Sequence, residues 1–95
     1  MAQAGEALRR LRDEIDEIDM QLLRLLARRA YLALRVGQVK KREGKRVFDP
    51  ERERAVLRRI RAMNRGPLSP SAIEKIFREI VRQHRRLAQF VSLSR

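Results

Sequence analysis

The 95-residue chain contains no cysteine and a single histidine, His84. Disulfide bonds, zinc sites of the cysteine and histidine kind, and a cysteine nucleophile are therefore excluded. A Ser-His-Asp triad would have to use His84, whose neighbours in the sequence are mainly arginines. We expect neither a metal site nor covalent catalysis.

Long hydrophobic runs are also missing from the chain. No segment approaches the roughly 20 apolar residues that cross a bilayer. The first six residues lack the apolar stretch of a secretion signal. These absences predict a soluble, cytoplasmic protein without a membrane partner.

Acidic residues are half as numerous as basic residues. The 24 lysines and arginines exceed the 12 aspartates and glutamates, which leaves a net charge of +12. The excess is spread over both halves of the chain and does not form a tail. Because a spread positive field attracts anions by electrostatic steering, the charge by itself does not decide between nucleic acid, acidic lipid and a small polycarboxylate as partners.

Strand patterns are absent, and the apolar residues follow a helical period instead. From Leu8 to Val39 they recur at spacings of three and four, with no proline to interrupt them. This pattern predicts a long helix that continues to about Arg42 and stops near Gly44.

Two of the three prolines stand where a helix is expected to begin. Asp49 and Pro50 have the order of an N-cap and a first helical residue, and Ser69 and Pro70 repeat it. The segment 64–67 ends the helix between them. The sequence therefore predicts an all-α fold of three helices, long, short and long, in a single domain over residues 1–95.

The long helix carries more apolar surface than the other two helices can cover. A helix of about 35 residues extends roughly 52 Å, whereas a compact domain of this size has a radius of gyration of about 13 Å. The uncovered part of the stripe predicts an intertwined two-fold homodimer that shares the long helices. A bent helix, or additional chain that covers the stripe, is the alternative.

Two cations interrupt the apolar stripe of the long helix. Arg29 occupies a position where the spacing predicts an apolar residue, and Lys40 follows eleven residues later on nearly the same face. Their Cα atoms would lie roughly 16 Å apart, so both long side chains could close on an anion with several oxygens. Alternatively, both side chains extend to solvent.

A further polar cluster lies at the start of the short helix. Asp49, Arg52 and Glu53 combine two carboxylates with a cation, a set able to hold the carboxylate and hydroxyl groups of a small ligand. Helix capping by Asp49 and a favourable dipole interaction of Glu53 would explain both acids equally well.

The spacing of these residues resembles that of the all-helical chorismate mutases, the AroQ type or chorismate mutase type II. The resemblance rests on Leu11-Arg12-x-x-Ile15-x-x-Ile18-Asp19, Leu22-Leu23-x-Leu25-Leu26-Ala27-x-Arg29, Val36-Gly37-x-x-Lys40 and Asp49-Pro50-x-Arg52-Glu53. It covers nearly the whole chain. The segments FDPERE and NRGPLSPSAIEKIFREI are also similar to the mutase domain fused to prephenate dehydratase or to other shikimate-pathway enzymes.

The resemblance implies an isomerase of aromatic amino acid biosynthesis that converts the dianion chorismate into prephenate by a Claisen rearrangement, without cofactor or metal. It implies that Arg29 and Arg12 bind carboxylates, Arg12 entering from the partner subunit of the homodimer. Lys40 would bond the ether oxygen and a carboxylate, and Glu53 would accept from the ring hydroxyl. The implied catalytic residues are Lys40, Arg29 and Glu53, and the implied substrate-binding residues are Arg12, Arg29, Lys40, Asp49, Arg52, Glu53, His84 and Ala88.

The third helix departs from the family pattern. A small hydroxyl residue is usual at the place of His84, and a glutamine or glutamate at the place of Ala88. Either a register shift brings Gln89 into the site, or His84 supplies the missing donor, or catalysis is weak. We expect Arg85 and Arg86 to form a solvated face.

Other functions stay open on the same scaffold. Ala88 strengthens the case for isochorismate pyruvate lyase or aminodeoxychorismate mutase activity, whereas Arg52 and Glu53 favour the mutase. A weakly active regulatory or partner-dependent mutase domain is a third alternative. Nucleic-acid binding is disfavoured because acids alternate with bases along the first helix, and no helix-turn-helix signature occurs.

Overall fold

Three helices make up the fold. The computed structural model describes the backbone of residues 2–93 and the side chains of residues 5–93. Helix α1 covers Ala2–Glu43, α2 covers Pro50–Met63 and α3 covers Pro70–Leu93. The predicted all-α fold with a long, a short and a long helix is confirmed, and the described residues contain no strand. The two ends of the predicted 1–95 domain lie outside the described residues.

Side-chain caps fix the starts of α2 and α3. The Asp49 carboxylate accepts a hydrogen bond from the backbone N–H of Arg52 at 3.0 Å, and Pro50 begins α2. The Ser69 hydroxyl accepts from the N–H of Ala72 at 3.1 Å at the start of α3. Both predicted N-caps are confirmed.

Helix α1 ends at Glu43, directly before Gly44 as predicted, but it begins earlier than predicted. Gly44 has a φ of 67°, a left-handed conformation that glycine adopts without steric cost. At the other end the helix extends back to Ala2, because residues 2–7 are mostly good helix formers. They lack the large apolar side chains by which the helical period was recognised.

The core is small and centres on α3, which packs against both other helices. Its buried apolar side chains are Val56 and Leu57 of α2 and Val81 and Ala88 of α3. On α1, Gly37 is buried, and a Cβ built there would lie 2.9 Å from the Cα of Ala88. Glycine therefore allows the two backbones to meet, which sets the C-terminal half of α1 directly against α3.

The N-terminal half of α1 projects beyond this core. Its large apolar side chains are between 48% and 60% exposed: Leu8, Leu11, Ile15, Ile18, Leu22 and Leu25. The chain measures 63 × 29 × 14 Å, and its radius of gyration of 17.9 Å exceeds the roughly 13 Å of a compact domain of this length. The prediction that α2 and α3 leave this stripe uncovered is confirmed, and the homodimer that would cover it stays a prediction. Among residues 2–93, none of the three helices contains an apolar stretch of the length that a bilayer requires.

Candidate active site

A cavity of about 300 Å³ lies between the C-terminal half of α1, the start of α2 and the face of α3, a volume that suits a small ligand. Of the eight residues for which the family resemblance implies substrate binding, seven line it: Arg29, Lys40, Asp49, Arg52, Glu53, His84 and Ala88. The prediction that Arg29 and Lys40 face one cavity is confirmed. Both are half-buried, so the alternative in which they simply extend to solvent is wrong.

Arg29 projects from α1 towards α3. Its Nη1 lies 2.7 Å from Nδ1 of His84. Burial and, to a smaller extent, the charge of Arg52 lower the pKa of Arg29. A guanidinium nevertheless stays protonated in proteins, so this cation is held partly out of water beside another cation. An anion entering the cavity would relieve that cost.

Lys40 is held over the cavity by the loop between α1 and α2. Its Nζ donates a hydrogen bond to the backbone carbonyl of Val47 at 3.0 Å. An ammonium has three N–H donors, and this contact uses one of them. Within residues 5–93 Lys40 forms no ion pair, which leaves its remaining donors to a ligand.

Glu53 is paired with a residue that the sequence analysis placed elsewhere. Its Oε1 accepts a hydrogen bond from Nη1 of Arg85 at 2.8 Å, and the Arg85 guanidinium stacks 4.6 Å from the centre of the Phe48 ring. Arg85 therefore lines the cavity, and its expected solvated position is wrong; Arg86 is exposed as expected. The sequence does contain a sign of this position. Arg85 follows Val81 by four residues and precedes Ala88 by three, so a helix places all three on one face.

The third helix presents His84 and Ala88 to the cavity. Their exposed fractions are 8% and 3%, and burial followed by the charge of Arg29 lowers the pKa of His84. Gln89 lies instead at a separate surface recess beside Phe48. The alternative in which Gln89 enters the site is wrong, because α3 is a regular helix and turns adjacent side chains about 100° apart.

Comparison with known proteins agrees with this arrangement. The family described as chorismate mutase type II matches residues 11–89. The chain belongs to this family. The matched range includes every residue that lines the cavity.

Relatives of the chorismate mutase type II family differ in length. The bifunctional chorismate mutase/prephenate dehydratase of Neisseria gonorrhoeae is 46% identical over 70 residues, 74% of this chain and 19% of that protein. The chorismate mutase of Methanocaldococcus jannaschii is 43% identical over 58 residues, 61% of this chain and 59% of that protein. The solved structure of chorismate mutase (form II) from Thermus thermophilus matches with a TM-score of 0.85 and 33% identity, over 86% of this chain and 93% of that one. The chain thus spans about a fifth of the length of the bifunctional relatives.

Arg12 is the one assigned residue that the chain does not bring to the cavity. It lies on the exposed half of α1, 17 positions before Arg29 and therefore about 26 Å away along the helix. Among the described residues, no element folds back to carry Arg12 to the site. A contribution from Arg12 requires a second chain and stays a prediction.

The charges that line the cavity favour a dianion. The cations are Arg29, Lys40, Arg52 and Arg85, and the carboxylates are Asp49 and Glu53, which leaves a surplus of two positive charges. Of these groups, Glu53 and Arg85 form an ion pair with each other. The described residues hold no cluster of three or more histidine, aspartate or glutamate side chains suited to a metal ion.

Proposed function

We propose that the protein isomerises chorismate to prephenate by a Claisen rearrangement in the cavity between its three helices. The proposal rests on one observation about the cavity. Helix α1 directs both Arg29 and Lys40 into it, and its lining carries two more positive than negative charges. Membership of the chorismate mutase type II family supports it. Chorismate is a dianion, so its charge complements the lining.

The reaction breaks a C–O bond and forms a C–C bond within one molecule. Negative charge develops on the ether oxygen, where the Lys40 ammonium would stabilise the transition state more than the substrate. Arg29 would hold a carboxylate and thereby keep the enolpyruvyl arm folded over the ring. Glu53 would accept from the ring hydroxyl through its second carboxylate oxygen, because Oε1 accepts from Arg85.

The same proposal includes a homodimer in which the two α1 helices pack along their apolar stripes. The side chains from Leu8 to Leu25 supply the surface, since burying each large apolar side chain contributes roughly 1.5 to 3 kcal/mol. Arg12 of one chain would then reach the cavity of the other and bind the second carboxylate, as the family resemblance implies.

Product formation from chorismate tests the activity. The loss of ultraviolet absorbance gives the rate, and chromatography identifies prephenate. We expect Lys40→Ala to lower kcat by roughly 100- to 1,000-fold, as removal of an oxyanion donor does elsewhere. Lys41→Ala is the matched control and should keep the parent rate, because Lys41 is exposed and lies outside the cavity lining. Absence of prephenate with the parent, or equal rates for the two variants, would contradict the assignment.

Ala88 favours a second candidate on the same scaffold. Its methyl group leaves the α3 wall without the polar side chain that the family usually has there. Isochorismate pyruvate lyase activity, or aminodeoxychorismate mutase activity, is therefore the alternative. Pyruvate released from isochorismate, with no prephenate formed from chorismate, would move the assignment to the lyase.

The bifunctional relatives support a proposal about partners. Several of them carry both chorismate mutase and prephenate dehydratase in their names, and this chain matches about a fifth of each. We infer that a fused or associated shikimate-pathway enzyme works beside this domain, in the cytoplasm. Co-purification from the native source would detect an associated enzyme.

A further inference from the structure

The α3 wall of the cavity offers few polar groups to a ligand. Besides Val81 and Ala88, it contributes His84 and Arg85. The Arg85 guanidinium is already bonded to Glu53. His84 lies one helical turn before Ala88 and is therefore the α3 side chain best placed to replace a donor at that position.

Arg29 fixes which nitrogen of His84 carries the proton. A guanidinium has only N–H donors, so the nitrogen 2.7 Å from Arg29, Nδ1, must be the acceptor. A neutral imidazole that accepts at Nδ1 carries its hydrogen on Nε2. The contact with Arg29 thus makes Nε2 a hydrogen-bond donor.

The Nε2 atom of His84 is not sealed in the core. Within the described side chains, His84 makes one hydrogen bond, the one from Arg29. In the same part of the chain, no buried side-chain nitrogen or oxygen lacks a partner. Since Nε2 has no hydrogen-bond partner among these side chains, it keeps some accessible surface, and His84 lines the cavity.

The surroundings of His84 keep the ring neutral. Burial, and then the positive charge of Arg29, lower its pKa from 6.5. The charged groups around it come from every packed element: Arg29 and Lys40 of α1, Asp49, Arg52 and Glu53 at the start of α2, and Arg85 of α3. Cations outnumber carboxylates in this set, which opposes protonation of the imidazole.

We propose that the Nε2–H of neutral His84 donates a hydrogen bond to the ether oxygen of bound chorismate and so supplies the donor that Ala88 lacks. This inference rests on the proposed function. Lys40 and His84 would then approach the same oxygen from α1 and α3. Arg29 keeps four further N–H donors for a carboxylate while one holds the imidazole.

Kinetics of His84 variants test this role. A donor to the oxygen on which charge develops acts mainly in the transition state, so His84→Leu should lower kcat roughly 100-fold and leave KM within about threefold. His84→Gln should recover much of the rate, because its amide can accept from Arg29 and donate to substrate. Arg86→Leu, an exposed neighbour on α3, is the control and should behave like the parent.

The protonation state can be measured without any turnover. Because the chain has one histidine, nitrogen-15 NMR of labelled histidine reports His84 alone. At pH 7 we expect a neutral ring protonated on Nε2. Addition of prephenate, in which the former ether oxygen is a ketone, should shift the Nε2 resonance. A ring protonated on Nδ1, or an imidazolium, would overturn the inference even if His84→Leu failed to fold.

The outcomes distinguish failure of the proposed function from failure of the role of His84. A parent that forms no prephenate overturns the proposed function, and the role of His84 with it. A parent that forms prephenate while His84→Leu keeps its kcat overturns the role of His84 alone. A loss that appears in KM with kcat unchanged also overturns it, because the hydrogen bond would then serve ground-state binding and not the ether oxygen in the transition state.

Discussion

Arg29 connects the ligand cavity to the packing of α1 against α3. Its guanidinium donates to His84, and its pKa is lowered by burial and by the nearby charge of Arg52. These two cations repel each other. A carboxylate bound between them would offset that repulsion, so ligand binding and stability of the fold are linked through the same side chain.

The titration of His84 should make stability depend on pH. The folded-state pKa lies below the unfolded value of about 6.5. At a pH between these two pKa values, the unfolded chain binds a proton at His84 that the folded chain does not bind. The free energy of unfolding should therefore fall as the pH drops through 6.5. Well above pH 6.5 this contribution is constant. Urea unfolding between pH 5 and 8 measures how the free energy of unfolding depends on pH. His84→Gln should remove the part of this dependence that comes from the histidine. An identical pH dependence in the parent and the variant would refute the lowered pKa of His84.

Arg85 should act on catalysis through Glu53. In Arg85→Met, Glu53 loses its hydrogen-bond donor and Phe48 loses the stacked guanidinium. We expect a free energy of unfolding lower by roughly 1 to 2 kcal/mol, together with a several-fold lower kcat/KM because the Glu53 carboxylate is no longer held in place. Arg86→Met is the comparison, since that side chain is exposed. If Arg85→Met and Arg86→Met had equal effects, the ion pair between Glu53 and Arg85 would contribute neither to stability nor to catalysis.

At the scale of helices, Gly37 controls how closely α1 approaches α3. A Cβ at this position would overlap the backbone carbonyl oxygen of Ala88. Gly37→Ala should therefore force the helices apart and lower the free energy of unfolding by roughly 1 to 3 kcal/mol. Gly5→Ala in the same helix meets open space and should be neutral or stabilising by up to about 1 kcal/mol. Urea unfolding compares them, and equal stability of the two variants would contradict this account.

The sequence predicts what is local to one helix and misses what depends on helix packing. The caps at Asp49 and Ser69 were predictable because each acts on a backbone N–H three residues away. Arg29 and Lys40 were predictable as neighbours because one helix fixes their relative direction. Arg85 was missed because its partner Glu53 lies 32 residues earlier, and only the packing of α2 on α3 brings the two together.

At the scale of the whole molecule, the long α1 has two different environments. Its C-terminal half packs against α3 and lines the cavity, whereas its N-terminal half exposes the stripe from Leu8 to Leu25. Arg12 lies in this second half. The same helix would therefore carry Arg29 and Lys40 for its own cavity and Arg12 for the cavity of a second copy, which would couple dimer formation to activity.

If residues of both chains build each chorismate mutase site of the dimer, two inactive variants should complement each other when they are mixed. Homodimers of Arg12→Ala, and homodimers of Lys40→Ala, each lack a required cation in every site. When the variants are unfolded together and refolded, half of the dimers are mixed, and one of the two sites in each mixed dimer is intact. Prephenate formation should return to about a quarter of the parent rate. A mixture no faster than the separate variants would contradict the shared site.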